Sequence, residues 1–499
     1  MPVSAPVILA IDQGTTGTTV LVVGVDGDPV GRSYREITQH YPRPSWVEHD
    51  PEEIWRSVLE AAAEALTDAD ARPADVRAVG ITNQRETLVL WDRRTLRPIQ
   101  PAIVWQDRRT AGLCDELRAA GEEKRVRRIT GLVIDPYFTG TKLRWAVDNV
   151  DGARKSAAGT VDSWLMARLS GGRAHVTDAS NASRTLLFDI SSGKWSEEMA
   201  EVLRVPTDVL PQVAPSSGVV CETDPDAFLS IRAPVAGVAG DQQAALFGQA
   251  CLRAGMAKNT YGTGSFVLLD TGERRVASGT GMLETVAWLR DGRLTYALEG
   301  AIFVTGATLQ WLRDGLGVIG SAAEAGPLAE SVADTGGVYI VPAFTGLGAP
   351  HWDAYARGLI IGLTRGTGRA EVVRAAVEAM AYQTCDVVEA MAADAGGPFR
   401  ELRVDGGASV MNVLCQLQAD LLGIPVRRPR HIETTALGAA FLAGRGSGLW
   451  SDDAELANAW KLDREFEPLM SRDKAASRLA DWHRAIERAL GWARPGAEL

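Results

Sequence analysis

The chain opens with apolar runs cut by sharp polar breaks. Ile8-Leu-Ala-Ile11 climbs into Asp12, breaks at Gly14-Thr-Thr-Gly17 and resumes as Val20-Leu-Val-Val23. Two apolar runs across a Gly- and Thr-rich break predict a β-hairpin. Lys258 to Asp270 echoes the pattern, with a polar strand end, a Gly262-Thr-Gly264 turn and an apolar return. Such an echo half a chain away reads either as two related domains facing each other, with a boundary near Gln249 to Gly255, or as two unrelated hairpins.

Elsewhere strand-like runs alternate with helical patterns, which predicts an α/β protein. Val76 to Thr82, Val235 to Ala239, Val338 to Phe344, Gly358 to Leu363 and Leu402 to Asp405 read as buried strands. Pro51 to Asp68 reads as a helix, with Asp50 as its cap and Ile54, Val58, Ala61 and Ala65 on one face. Arg369 to Ala393 and Ser409 to Leu422 read as two more. A strand ends at Gly240 and a helix begins at Asp241.

At 499 residues the chain exceeds one ordinary core, so two or three domains are expected. A net charge of −11 argues against a nucleic-acid binder, because there is no excess of Lys and Arg to neutralise phosphates. The five cysteines have neither metal-ligand nor redox spacing and read as reduced core thiols. Met1 to Val7 has no basic segment, and the first apolar run is interrupted by Asp12. No stretch approaches the roughly 18 apolar residues of a membrane helix. The expectation is a cytoplasmic protein with no integral membrane association.

Four clusters could carry chemistry. The hydroxyls and backbone N–H groups of the first turn suit phosphate oxygens, and Asp12 at its mouth suits magnesium; an ordinary hairpin with a polar turn is the alternative. Asp241-Gln-Gln243 lies at a strand-to-helix corner, where open α/β sheets build their sites; Asp241 reads as a helix N-cap, a site acid or both. Arg85 and Glu86, at the end of the strand from Val76, read as a clamp for a small polar substrate or as a surface ion pair. Gly406-Gly407 lets a ring or a phosphate approach the backbone. Trp105 and Tyr137 are aromatics in polar surroundings and read equally as core or site. No Walker loop, Gly-x-Ser-x-Gly elbow or histidine cluster is present.

The blocks Trp46-Val-Glu-His-Asp-Pro51, Ile81-Thr-Asn-Gln-Arg-Glu86, Ile103-Val-Trp-Gln106, Thr130 to Tyr137, Ala239 to Gln249, Tyr261-Gly-Thr-Gly264, Gln310 to Asp314 and Val341 to Pro350 occur in one order along the chain. With them the chain resembles the glycerol kinases of the FGGY carbohydrate kinase family, over essentially its whole length. The resemblance implies two actin-like ATPase (ribonuclease H-like) domains with a cleft between them. Residues 1–250 would carry most of the glycerol site and residues 251–499 most of the nucleotide site. It implies ATP and Mg2+, glycerol phosphorylated to sn-glycerol 3-phosphate, and a homo-oligomer (dimer or tetramer). Glycerol would be held by Arg85, Glu86, Tyr137, Asp241 and Gln242, with Trp105 and Phe266 against its carbon edge. Asp241 would be the base, and Asp12 with Asp241 would serve the metal. Thr15, Thr16, Thr263, Gly306, Gln310 and Gly407 would line the nucleotide. Positioning, charge neutralisation and one base are what phosphoryl transfer needs. Two departures touch the nucleotide: Thr19 stands where many members carry arginine, and Met411 where many carry asparagine. The rival readings are a kinase of the same family for a pentulose or tetritol, and a non-enzymatic actin-like ATPase module.

Overall fold

The computed structural model describes residues 5–397 and 399–494; residues 1–4 of the N-terminal stretch read above lie outside the described residues. The first sheet is built from β1 (Val7–Gln13), β2 (Gly17–Gly24), β3 (Pro29–Glu36), β4 (Val76–Asn83), β5 (Ser217–Glu222) and β6 (Pro234–Gly240), in the order β5-β6-β4-β1-β2-β3. The second is built from β7 (Ala257–Tyr261), β8 (Ser265–Gly272), β9 (Leu283–Arg290), β10 (Arg293–Ile302), β11 (Leu402–Asp405), β12 (Val426–Pro429) and β13 (Leu462–Phe466), in the order β9-β10-β8-β7-β11-β12-β13.

The hairpin echo is the visible edge of a larger repeat. In the first sheet β3, β2 and β1 run antiparallel in succession, and β4 and then β6 join β1 in parallel. In the second sheet β10, β8 and β7 run antiparallel, and β11 and then β12 join β7 in parallel. Strand order and direction therefore agree over five strands. The two-domain, actin-like reading of the fold holds.

Helix α1 (Pro51–Asp68) matches its predicted bounds. The Asp50 side chain accepts from Glu52 N, proline occupies the first turn, and Ile54, Val58, Ala61 and Ala65 are buried on the first sheet. Helix α2 (Asp241–Gly248) follows β6 directly, and α3 (Gly306–Asp314) follows β10. Helix α4 (Arg369–Ala395) runs two residues beyond expectation. Helix α5 (Asn412–Leu422) begins three residues later than expected, because Gly407–Val410 form a separate turn of 3-10 helix. The runs around 338–344 and 358–363 shrink to Tyr339–Val341 and Leu359–Ile361, which pair with each other outside both main sheets. Leu359–Ile361 is half-buried rather than buried, its one strand partner being Tyr339–Val341 outside the main sheets.

Late in the chain, α6 (Thr434–Gly446) returns to lie on β6, β4 and β1 and across α2. A Cβ on Gly438 would stand 1.8 Å from the Ala244 carbonyl oxygen, and one on Gly248 would stand 2.0 Å from that of Thr434. Only glycine lets these two helices cross at backbone distance. Their crossing fixes α2, and with it the start of the Asp241 segment. Four of the five free cysteines are buried and Cys221 is half-buried. No helix among the described residues is long and apolar enough to cross a membrane.

Candidate active site

The parallel strands of the first sheet end in register. Asp12 lies opposite Thr82, Gln13 opposite Asn83, and Gly240 opposite Asn83 on the other side. The segments that follow, Gly14–Thr16, Gln84–Thr87 and Asp241–Gln243, therefore emerge side by side at the carboxyl edge of the sheet, where open α/β sheets bind ligands. The second sheet does the same: β7 and β11 end together, Thr260 opposite Asp405, and release Gly262–Gly264 and Gly406–Gly407.

Asp241 is not the N-cap of its helix. Gly240 takes that position, and Asp241 is the first helical residue, its carboxylate accepting from the Gln242 backbone N–H at 2.7 Å. The same carboxylate oxygen lies 3.0 Å from Nε of Arg85. Both contacts fall on Oδ1, and the side chain keeps partial exposure at the strand edge.

Arg85 and Glu86 are not a surface ion pair, since both are buried, and they do not pair with each other. Arg85 is clamped by both oxygens of Glu299 on β10 and donates from Nη1 to Gln243 Oε1 at 3.2 Å. Glu86 is held by Arg184, whose Nε donates to it at 2.6 Å, while Nη2 of Arg184 reaches Glu299 at 2.9 Å. Burial alone would raise Glu299, but Arg184 and Arg85 overcome it and its carboxyl falls to about 2. At Glu86 burial prevails, and the carboxyl stands above its ordinary value despite both arginines. Glu86 also sits at φ +62°, a left-handed backbone that glutamate rarely adopts. Its carbonyl is fixed there by Thr139 Oγ1 at 3.1 Å and Lys142 Nζ at 3.4 Å. Lys142 is itself buried and pushed down to about 7, and it also donates to the Tyr137 carbonyl. One buried ammonium thus ties the backbones of Glu86 and Tyr137 together.

Trp105 and Tyr137 are half-buried and meet edge to face, ring centroids 5.6 Å apart. Phe266 on β8 approaches from the second domain, 5.9 Å below the Arg85 guanidinium. Gln242 accepts from the buried Lys258 Nζ on β7 at 2.6 Å. Burial lowers Lys258 to about 8 against the pull of Asp405, Asp241 and Glu299. The cleft floor is therefore stitched across the two domains by Arg85–Glu299, Arg184–Glu299 and Lys258–Gln242.

Asp12 keeps partial exposure at the end of β1, yet its carboxyl is desolvated and pushed up to about 8, with Asp241 and then Glu433 adding repulsion. A carboxylate crowded by two others and given no cationic partner among the described residues suits a divalent cation. No group of three or more metal-ligating side chains is assembled among the described residues. A magnesium ion here would rely on Asp12 and Asp241, with phosphate oxygens and waters completing its shell.

Thr15 is half-buried and Thr16 exposed in the first turn. Across the cleft Thr263 is exposed, and the second turn abuts the start of α3: Gly306 N donates to Gly262 O at 3.0 Å and Ala307 N to Thr263 O at 3.0 Å. Gln310 is exposed one turn along α3. Gly406 sits at φ +82°, with Tyr261 too close to admit a Cβ, and Gly407 beside it faces open space. Thr263 and Gly306 are thus in contact, with Gln310 on the same helix. Among the described residues no hydrogen bond joins this group to Thr15 or Thr16.

The N-terminal domain of the FGGY family of carbohydrate kinases matches residues 7–248, and the family's C-terminal domain matches residues 257–447. The chain belongs to this family. It is 57% identical over 492 residues to a glycerol kinase of Dechloromonas aromatica, covering 97% of this chain and 98% of the relative. The crystal structure of Plasmodium falciparum glycerol kinase with ADP superposes with a TM-score of 0.90 at 34% identity, over 97% of this chain and 98% of that one. A ligand-bound xylulose kinase of Lactobacillus acidophilus shares the fold, with a TM-score of 0.85 at 20% identity over 97% of each chain. In this FGGY kinase sequence reasoning missed Arg184, Glu299, Lys142 and Lys258. The signal for Glu299 was there: one acid in the apolar run Tyr296-Ala-Leu-Glu-Gly-Ala-Ile302. Nothing local marks Arg184.

Proposed function

We propose that this FGGY kinase transfers the terminal phosphoryl group of ATP to glycerol, giving sn-glycerol 3-phosphate. The observation that carries this reading is the convergence of Asp241, Arg85 and Glu86 on neighbouring strand ends, the partly exposed Asp241 carboxylate against Arg85 and the buried Glu86 carboxylate braced by Arg184. Arg85, Glu86, Gln242 and Tyr137 hold the hydroxyls, each of which can both donate and accept. Trp105 and Phe266 bound the carbon edge. Asp241 takes the proton of the attacking terminal hydroxyl. Asp12 and Asp241 would hold magnesium, which when bound neutralises phosphate charge. Thr15, Thr16, Thr263, Gly306, Gln310 and Gly407 line the nucleotide. Residues 1–250 supply most of the glycerol site and 251–499 most of the nucleotide site. The enzyme works in the cytoplasm as a homo-oligomer. A panel of glycerol, erythritol, xylulose and ribulose with ATP tests the substrate: glycerol gives the highest kcat/KM, and a preference for a pentulose overturns the reading.

Glu86→Gln keeps the shape but removes the charge paired with Arg184 and facing substrate. The expected result is a glycerol KM raised by roughly 10- to 100-fold, a charged hydrogen bond contributing about 1.5–3 kcal/mol. Nucleotide affinity should not change. Calorimetry with glycerol and with ADP checks both.

Thr19 on β2 lies opposite Asp12 on β1, so the two side chains share a face of the sheet. An arginine there reaches the region served by Asp12 and the phosphate turn. Thr19→Arg is expected to tighten ADP binding by roughly 1–3 kcal/mol through charge-assisted bonds to phosphate. Unchanged or weaker ADP binding by calorimetry would show that the phosphate site is built around another group.

A further inference from the structure

Trp105 does more than bound the carbon edge. Its indole Nε1 donates to Thr15 Oγ1 in the phosphate turn at 2.8 Å. The direction of that bond is fixed, because an indole N–H can only donate. Thr15 must therefore accept with a lone pair, and its own hydroxyl proton points elsewhere. Among the described residues that hydroxyl donates to no acceptor, and the residue is half-exposed at the strand edge.

The backbone of Trp105 is held in the same circuit. Its N–H donates to Thr87 Oγ1 at 3.2 Å, and the Thr87 hydroxyl donates to Gln84 Oε1 at 2.8 Å. Gln84 Nε2 then donates to the Gly14 carbonyl at 3.1 Å. A carbonyl can only accept, which fixes the Gln84 amide and hence the direction of every bond. The ring closes on the phosphate turn: Gly14, Gln84, Thr87, Trp105, Thr15. Among the described residues every side-chain hydrogen in it is committed, the second of Gln84 Nε2 going to Gln13 Oε1 at 3.1 Å, except the hydroxyl proton of Thr15.

Resting on the glycerol kinase reading above, we infer that Trp105 is a positioning residue for phosphoryl transfer: its indole N–H sets the Thr15 hydroxyl to donate to an oxygen of the transferred phosphoryl group. Phosphate oxygens only accept, so the one free proton of the circuit is of the right sense. The same indole bounds the triol and meets Tyr137 edge to face, so the polyol and phosphate sites share a rigid wall. The contact is thus directional as well as steric.

Trp105→Phe keeps a ring against the substrate and removes only the N–H and one fused ring. The expected result is a kcat lowered by roughly 10- to 100-fold with glycerol KM within about threefold of the wild type. Thr15→Val, nearly isosteric, should show the same split. The double variant should be no slower than Thr15→Val alone, because the indole acts through a hydroxyl already gone. A Trp105→Phe enzyme with unchanged kcat, a change in glycerol KM alone, or losses that multiply in the double variant would each overturn the inference. Should Trp105→Phe fail to fold, Thr15→Val decides: normal kcat in that variant overturns it, and a lowered kcat at unchanged glycerol KM supports it. The wild type runs in the same series. If it forms no ADP with glycerol, the substrate reading itself falls; if it does and the variants match it, only the inference falls.

Discussion

Replacing Asp241 by asparagine should lower turnover with glycerol by roughly 100- to 10 000-fold, the range lost with a positioned general base. The expectation rests on the position of the side chain. Asp241 follows the N-cap Gly240, so its carboxylate touches the helix start only at the Gln242 N–H and otherwise pairs with Arg85 Nε. Asparagine keeps an oxygen for the Gln242 N–H, and the helix crossing at Gly438 and Gly248 is untouched. The variant should therefore fold, bind nucleotide and hold glycerol, and fail at the step that removes the hydroxyl proton. Stopped-flow and steady-state rates with saturating glycerol check this. Turnover within tenfold of the wild type would remove Asp241 from the role of base.

Replacing Glu299 by alanine should be the most damaging single change to stability. Glu299 is fully buried and receives Arg85 and Arg184 together. Without it two buried guanidiniums face each other with no shared counter-charge, and among the described residues Nη1 of Arg184 already has no hydrogen-bond partner. Stranding a buried charge costs about 3–5 kcal/mol. Urea unfolding should show a loss of that size, and glycerol KM should rise because Arg85 loses its clamp. The pH dependence has a definite sign. The folded carboxyl titrates at about 2, against an ordinary value of 4.5. Its contribution is therefore complete above pH 4.5 and lost as pH falls toward 2. Glu299→Ala should lack that part of the acid destabilisation. A variant within 1 kcal/mol of the wild type (roughly the median for an exposed pair) would mean the arginines find other partners.

These two residues mark where sequence was legible and where it was not. Asp241 stood out because a strand, a glycine and a cluster of amides meet there in consecutive positions. The helix from Pro51 to Asp68 and both hairpins were legible for the same reason, their caps and turns being local. The cleft floor is assembled at long range: Arg85 and Glu299 are 214 positions apart, and Glu86 and Arg184 are 98 apart. A buried acid needs a partner, but one sequence does not say which arginine supplies it. Adjacency misled at Arg85 and Glu86, which sit side by side in the chain yet turn to different partners, Glu299 and Arg184. The start of α5 shifted because the backbone after Gly406 makes a tight turn before the helix begins.

ATP should be consumed in proportion to the glycerol phosphorylated. Phosphorus-31 NMR of the purified chain with ATP, magnesium and glycerol measures it directly. The expected result is equal growth of ADP and glycerol 3-phosphate signals, with neither ADP nor inorganic phosphate accumulating when glycerol is left out. ADP and inorganic phosphate formed at the same rate with or without glycerol, and no phosphorylated glycerol, would contradict it.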